Sequence, residues 1–369
     1  MKILFTTTIS TTVNAFLVPH IKMLIDKGHI VDVAFRIDQQ VDKRIYDLGC
    51  KVYEISFTRN PLDFDNIKAY SLIKELVLRE KYDIVHAHTP VASAVTRLAC
   101  RKIKNLKIFY TAHGFHFFKG APLISWLLYY PIEKYLAKYT DVLITINSED
   151  YKTAKKKLHV KNVFYVPGVG IDENRFNPCN FTKQLSNFSI GIPNDAFVVM
   201  SVGELNTNKN HDVMLRALKC LNNDNIHYFI CGEGELRDKL TKQAFDLGIA
   251  NQVHLLGYRY DVDELYQLAD VFVLPSHREG LSAAVMEAMQ SSLPCIVSNI
   301  RGNKDQIVDN EGGYLVSPTD VGKFAEKIKN YYENPELIKK HGAFNKDKVS
   351  QYSLDLVLEE LMKIYETCS

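Results

Sequence analysis

The residues best suited to chemistry crowd into DVFVLPSHREGLSAAVMEAM (270–289). A hydrophobic run ends at Pro275, a short loop brings Arg278, Glu279 and Gly280, and strong helix formers follow from about Leu281 and Ser282 through Met289. A helix that begins at the carboxyl end of a strand offers free N–H groups and the positive end of its dipole, a seat for a diphosphate. Glu279 stands at the lip of that seat, and Glu287 lies roughly 9 Å further along the helix axis. Around Glu287 the residues Ala283, Ala284, Val285, Met286, Ala288 and Met289 make the helix apolar almost all round, so it is expected to be buried. A carboxylate there needs a partner or a ligand. Two carboxylates flanking one diphosphate suit the two polyols of a nucleotide sugar.

A second cluster, SVGELNTNKNHDVMLRAL (201–218), reads as a strand, Gly203, a polar loop and a helix starting near Asn210. Lys209 falls in that carboxyl-end loop, where an ammonium neutralises phosphate. In the first half, HAHTP (86–90) and TAHGFHFF (111–118) follow strands, which puts His113 and Gly114 at a ligand-facing strand end, while His86 reads as a packed strand residue. Other motifs fail. CGEGEL (231–236) has Arg237 where a dinucleotide fingerprint needs its third glycine. Asp261-Val262-Asp263 and Asp63-Phe64-Asp65 imitate metal-binding pairs, but each is better explained as a helix cap. Nucleophile-elbow, zinc-protease and P-loop patterns are missing.

The elements that must position these residues repeat along the chain. Short β-type runs at 2–8, 30–36, 51–57, 83–88, 106–112, 141–146 and 163–167 alternate with amphipathic helices, two of which end at Gly28 and Gly49. That spacing predicts a parallel sheet with helices on both faces. After a Gly-, Pro- and Asn-rich stretch at 168–195, the pattern restarts with strands at 196–203, 227–232, 252–258, 270–275, 294–298 and 313–316. The expected domains are 1–177, 178–350 and a terminal amphipathic helix in 351–369, with ligand bound at the carboxyl ends of the strands.

Composition narrows the class. Hydrophobic residues at 46% and charged residues at 24% fit a globular protein with substantial cores. Apolar runs stop short of a membrane span, the Thr-rich start does not read as a signal peptide, and seven scattered Cys suggest reduced thiols in the cytosol. Residues 1–177 carry a net charge of +9 and 178–369 a net charge of −7. A basic first half suggests an anionic partner such as a membrane surface or phosphorylated ligand. In 101–134, Phe115, Phe117, Phe118, Leu123, Trp126, Leu127, Tyr129 and Tyr130 interleave with Lys119 and Lys134, as an interfacial membrane segment or a packed helix would.

Taken with SVGELNTNKN, LGYRYDVDELYQLADVFVLPSHREGLSAAVMEAM and PCIVSNIRGNKDQIVDNEGGYLVSPTD, the chain resembles the retaining glycosyltransferases of family GT4 over nearly its whole length. HGFHFFKGAPLISWLLYYPIEKYLAKYTDVLITIN (113–147) resembles their branch for capsular and exopolysaccharide assembly on a polyprenyl-diphosphate carrier. The resemblance implies an α/β chain of two facing Rossmann-like doubly wound domains, the GT-B fold, with the C-terminal helix crossing back to the first. It also implies that Glu279 contacts the donor sugar, Glu287 the ribose and Lys209 the diphosphate, with His113 beside the reacting centre. Gly203, Gly280, Leu281 and Ser282 complete the donor site. The chain departs from the family in having Glu204 where relatives carry Arg, and in lacking paired glycines in Thr6–Asn14.

The expected activity is transfer from a UDP-sugar to a lipid-linked saccharide, without metal or nucleic acid, at the cytoplasmic face of the membrane. An epimerase or phosphorylase on a similar frame is the enzymatic alternative. A non-catalytic membrane-docking subunit is the other.

Overall fold

The computed structural model describes residues 1–176 and 191–368. Seven strands form the first sheet: β1 (Lys2–Ile9), β2 (Ile30–Arg36), β3 (Val52–Glu54), β4 (Ile84–His88), β5 (Lys107–Ala112), β6 (Val142–Thr145) and β7 (Asn162–Tyr165). Their order is 3-2-1-4-5-6-7 and every pairing is parallel. A second sheet takes β8 (Phe197–Val202), β9 (Ile226–Cys231), β10 (Val253–Gly257), β11 (Val271–Leu274), β12 (Cys295–Ser298) and β13 (Gly313–Val316) in the order 10-9-8-11-12-13, again all parallel. Each strand begins within a residue or so of its expected start, because parallel strands covered on both faces must be apolar on both. Along β1, Ile3 and Phe5 face one core and Leu4 faces the other.

The chain separates into two compact units, Met1–Val169 with Asp355–Ser369, and Gly170–Leu354. The first boundary therefore falls earlier than the expected 177/178, which itself lies outside the described residues. Ile171 forms a bridge to Ser353, and Phe176 packs against Tyr266 in a core of the second unit. Those contacts draw 170–176 across. The same pairing keeps 351–354 with the second unit, so the second boundary also moves, from 350/351 to 354/355.

Six helices matter below. They are α1 (Leu123–Ala137), α2 (Ser148–Lys157), α3 (His211–Leu221), α4 (Val262–Leu268), α5 (Ala283–Gln290) and α6 (Leu354–Cys368). Helix α6 buries Val357, Leu361, Ile364 and Tyr365 in the first unit's core and leaves Leu356 exposed. Among the described residues no helix is long and apolar enough to cross a membrane.

The proposed interfacial segment divides differently from the expectation. Phe115 and Phe117 are buried and stacked on each other, and Trp126, Tyr129 and Tyr130 pack against the same cluster. The aromatic rings are needed to close this part of the core. The exposed apolar row is aliphatic instead: Leu123, Ile124, Leu127, Leu128 and Ile132, with Tyr135, recur at helical spacing along α1.

The two Asp-x-Asp sequences also differ. Asp63 accepts the Asp65 N–H at 3.0 Å, as a turn-capping side chain does. Asp261 makes no side-chain cap on α4, because the Arg259 guanidinium engages both of its carboxylate oxygens and holds its pKa down.

Candidate active site

A doubly wound sheet binds ligand where the strand order reverses, since the loops there leave the sheet in opposite directions. In the second sheet that point lies between β8 and β11, whose following loops hold Gly203–Asn210 and Pro275–Ser282. The two loops are tied together. Asn208 accepts the His277 N–H at 2.8 Å through its backbone carbonyl and donates its side-chain amide to the Arg278 carbonyl at 2.9 Å. Asn210, left-handed at φ 56°, donates to the Pro275 and Pro318 carbonyls and starts α3.

This frame brings Lys209 and Glu279 together, with Nζ 2.8 Å from Oε1. Both side chains are mostly buried, with 18% and 12% of their surface exposed. Gly203 makes room for the lysine: a Cβ there would stand 2.9 Å from the Lys209 Cε. Asn206 accepts the Lys209 backbone N–H at 3.0 Å and donates to Glu204 Oε2 at 3.0 Å. The Glu204 carboxylate is thus engaged within its own loop.

Gly280 is backed by Gly302, where a Cβ would meet the Gly280 carbonyl oxygen at 2.2 Å and φ is +76°. Only glycine fits there without strain. Leu281 is partly buried against the core, and α5 begins at Ala283 rather than Leu281, with Ser282 as its N-cap. The Ser282 hydroxyl makes no capping bond. Its backbone is clamped by Gln306, which accepts the Ser282 N–H at 3.2 Å and donates to the Ser282 carbonyl at 2.8 Å. The Ser282 amide is therefore already committed, and the N–H groups that α5 can offer an anion lie beyond it.

Glu287 sits where expected on an otherwise apolar helix, with Val285, Met286, Ala288 and Met289 buried around it. Burial pushes its pKa up, and the Tyr266 hydroxyl from α4 lies 3.0 Å from Oε2. Tyr266 escaped the sequence reading because it belongs to another helix, and nothing in ELYQLA marks it as a carboxylate partner.

His113 belongs to a different unit from these residues. It lies in the first unit just past β5, its Nε2 3.1 Å from His88 Nδ1. His86 and His88 alternate onto one face of β4, stack at 4.3 Å and cover Phe5. His86 is held between Thr111 Oγ1 at 2.8 Å and the Tyr365 hydroxyl of α6 at 2.5 Å, the packed role expected of it. His20 reaches the Val169 carbonyl at 2.9 Å. Burial lowers the pKa of all four imidazoles, to about 4 for His20 and His113 and about 3 for His86, so they are neutral near pH 7. His88 was missed as a partner of His113, although the His-x-His spacing on a strand was its signal. Among the described residues, no three His, Cys, Asp or Glu are grouped to hold a metal ion.

The description "Glycosyl transferases group 1" matches residues 182–348, and "Glycosyl transferase 4-like" matches residues 2–147. EpsD of Bacillus subtilis is 36% identical over 99% of this chain and 96% of its own length. An Escherichia coli protein named UDP-Gal:alpha-D-GlcNAc-diphosphoundecaprenol alpha-1,3-galactosyltransferase is 32% identical over 73% of this chain and 71% of its own. Among solved structures, Anabaena HepE in complex with UDP and glucose superimposes with a TM-score of 0.85 over 100% of both chains at 17% identity, a likeness of fold. With both halves matched and a relative similar from end to end, the chain belongs to the group 1, GT4-like glycosyltransferases, and its two parallel-sheet units are those of the GT-B fold.

Proposed function

We propose that this glycosyltransferase moves a sugar, with retention at the anomeric carbon, from a UDP-sugar to a saccharide linked to a polyprenyl diphosphate, in capsule or exopolysaccharide assembly. The observation that carries this reading is the Lys209–Glu279 pair at the switch point of the second sheet, one loop ahead of the half-buried Glu287. The name of the E. coli relative, with its UDP-linked donor and diphosphoundecaprenol acceptor, supports the substrate classes.

In this scheme the donor diphosphate takes the Lys209 ammonium, and Glu279 turns its carboxylate to the donor sugar's hydroxyls. Glu287 accepts from the ribose. The acceptor hydroxyl attacks the anomeric carbon as the bond to the diphosphate oxygen breaks, and its proton passes to that leaving oxygen on the same face. Lys209 and the N-terminal N–H groups of α5 stabilise the growing negative charge. His113, neutral, is the first unit's candidate to hydrogen-bond a substrate hydroxyl. No step needs a metal ion.

The acceptor's lipid gives the exposed row of α1 an occupant. Leu123 is 80% exposed and Leu127 71% exposed, and Lys155, Lys156 and Lys157 make up the last turn of α2, from which Lys157 Nζ reaches 4.3 Å above the Trp126 ring of α1. Apolar side chains flanked by ammonium groups fit the anionic inner face of the cell membrane.

A panel of UDP-sugars, assayed first for slow donor hydrolysis and then for transfer to a polyprenyl-diphosphate-linked saccharide, tests the reading. Transfer with retained anomeric configuration, lost in Lys209→Ala and Glu279→Ala, is the expected result. Release of a rearranged sugar without an acceptor would replace the reading with an epimerase.

A further inference from the structure

The Tyr266 hydroxyl has one hydrogen and two acceptors. It stands 3.0 Å from the Ala284 carbonyl oxygen and 3.0 Å from Glu287 Oε2. If Glu287 is ionised, the phenol can serve only one of them well, and the other oxygen faces it without a hydrogen between. If Glu287 carries a proton, both contacts become hydrogen bonds: the acid donates to the phenol oxygen, and the phenol donates to Ala284.

We propose that Tyr266 positions Glu287 as a neutral acid in the nucleotide-free protein, and that a nucleoside diphosphate releases that proton when its ribose hydroxyls bind the carboxylate. The inference rests on the assignment of Glu287 to the ribose and adds the protonation state in which that residue waits.

The surroundings agree. Tyr266 is fully buried between Phe176 and Phe272, so its hydroxyl cannot turn to water. The charges acting on Glu287 oppose each other: Arg175, from the segment before residue 177, favours the carboxylate, and Asp263 on α4 disfavours it. Arg175 and Asp263 are themselves 4.0 Å apart. From helix Pro335–Lys348, which packs on α5, Lys346 bonds the Gln290 carbonyl at the far end, and Lys348 bonds the Asp305 carbonyl. Burial raises the Glu287 pKa above its ordinary value and outweighs the Tyr266 contact, which lowers it wherever the phenol is the donor to the carboxylate. Two ribose O–H donors favour the ionised form instead, because hydrogen bonds to a carboxylate stabilise its charge. The proton goes to the solvent, and no bond other than O–H is broken.

Isothermal titration of UDP at pH 6, repeated in buffers of different ionisation enthalpy, counts the protons released. UDP's own terminal phosphate titrates in this range, but its contribution is common to every variant. Wild type should release more protons than Glu287→Gln, and as pH is lowered through the linked range its UDP affinity should fall by up to about tenfold per pH unit beyond the fall seen with Glu287→Gln. Tyr266→Phe gives the sign. Losing the phenol removes the acceptor of the acid's proton, so release should drop. A larger release in Tyr266→Phe would mean that the phenol serves the carboxylate, and equal release by wild type and Glu287→Gln would mean that no proton is held; either overturns the inference. Unchanged UDP affinity in Glu287→Ala would instead remove the ribose assignment on which it rests.

Discussion

Each unit of this protein contains an ion pair largely removed from water, and the two are built for different ends. In the first, Arg97 meets Glu133 through two parallel bonds of 2.9 and 2.8 Å, donates a third to the Ser93 carbonyl, and lies 4.1 Å over the Tyr110 ring. Only 1% of the arginine side chain is exposed. In the second, Lys209 touches Glu279 at a single oxygen, at the sheet's switch point. The first pair has little spare hydrogen-bonding capacity. The second keeps donors and acceptors in reserve, so a ligand with complementary charge can exchange with it instead of competing against a closed network. Burial alone therefore does not mark a functional charge; the unspent bonding capacity does.

That contrast breaks most visibly at the arginine. Arg97→Met strands the Glu133 carboxylate in the first unit and should cost about 3–5 kcal/mol of stability, read by chemical denaturation; a loss below 1 kcal/mol would put the two pairs in one class. Lys209→Ala should do the reverse. Its stability should change little, while kcat/KM falls by on the order of 10²–10³-fold, the loss of about 2.7–4 kcal/mol seen when one transition-state donor is removed. An active Lys209→Ala enzyme would show that the reserve is not used. Glu287→Ala should weaken UDP binding by about 1–3 kcal/mol through lost charged hydrogen bonds, measured by calorimetry, with the fold intact.

The strand ends of the first sheet hold neutral imidazoles where those of the second hold opposite charges, and acid should sharpen that difference. The folded pKa values of His20 and His113 lie near 4 and that of His86 near 3, below the ordinary 6.5. Below pH 6.5 the unfolded chain takes up protons that the folded chain refuses. Stability should therefore fall as pH drops from 6.5 towards 4, by up to about 1.4 kcal/mol per pH unit for each such histidine. Denaturation curves at pH 7 and 5 test this, and His86→Gln should show a shallower fall; equal stability at both pH values would contradict it. The smallest effect is expected at the membrane. Replacing Leu127 and Leu128 by Ser, or Lys156 by Glu, should each reduce flotation with anionic vesicles, the lysine by about 1 kcal/mol, without altering donor hydrolysis in solution.

Much of the fold was legible because parallel strands must be apolar on both faces and helices must show one apolar stripe, and these periods survive in the sequence. The thirteen strand runs and the terminal helix are of this kind. The candidate site was legible where it is local: Gly203, Lys209, Glu279 and Gly280 sit on the connections directly after β8 and β11, and Glu287 on the helix that follows, so their positions follow once the strands are known. The misreadings came where two explanations share one composition. Phe115, Phe117 and Trp126 are apolar whether they enter a core or a membrane, and Asp261 has the spacing of a cap while its carboxylate goes to Arg259.

By itself, then, the sequence determined the number and order of the strands, the restart of the pattern in a second unit, and which loops hold the charged groups, because each is written in periods of two or three to four residues. The tertiary structure alone decided the partners. That Lys209 meets Glu279, that Tyr266 covers Glu287, that His88 lies against His113, and that Tyr365 of the last helix bonds His86 are all contacts between residues far apart in the chain. No local pattern encodes them, since each arises from how separate strands and helices stack, and that stacking also sets which side chains lose water and which protons they keep.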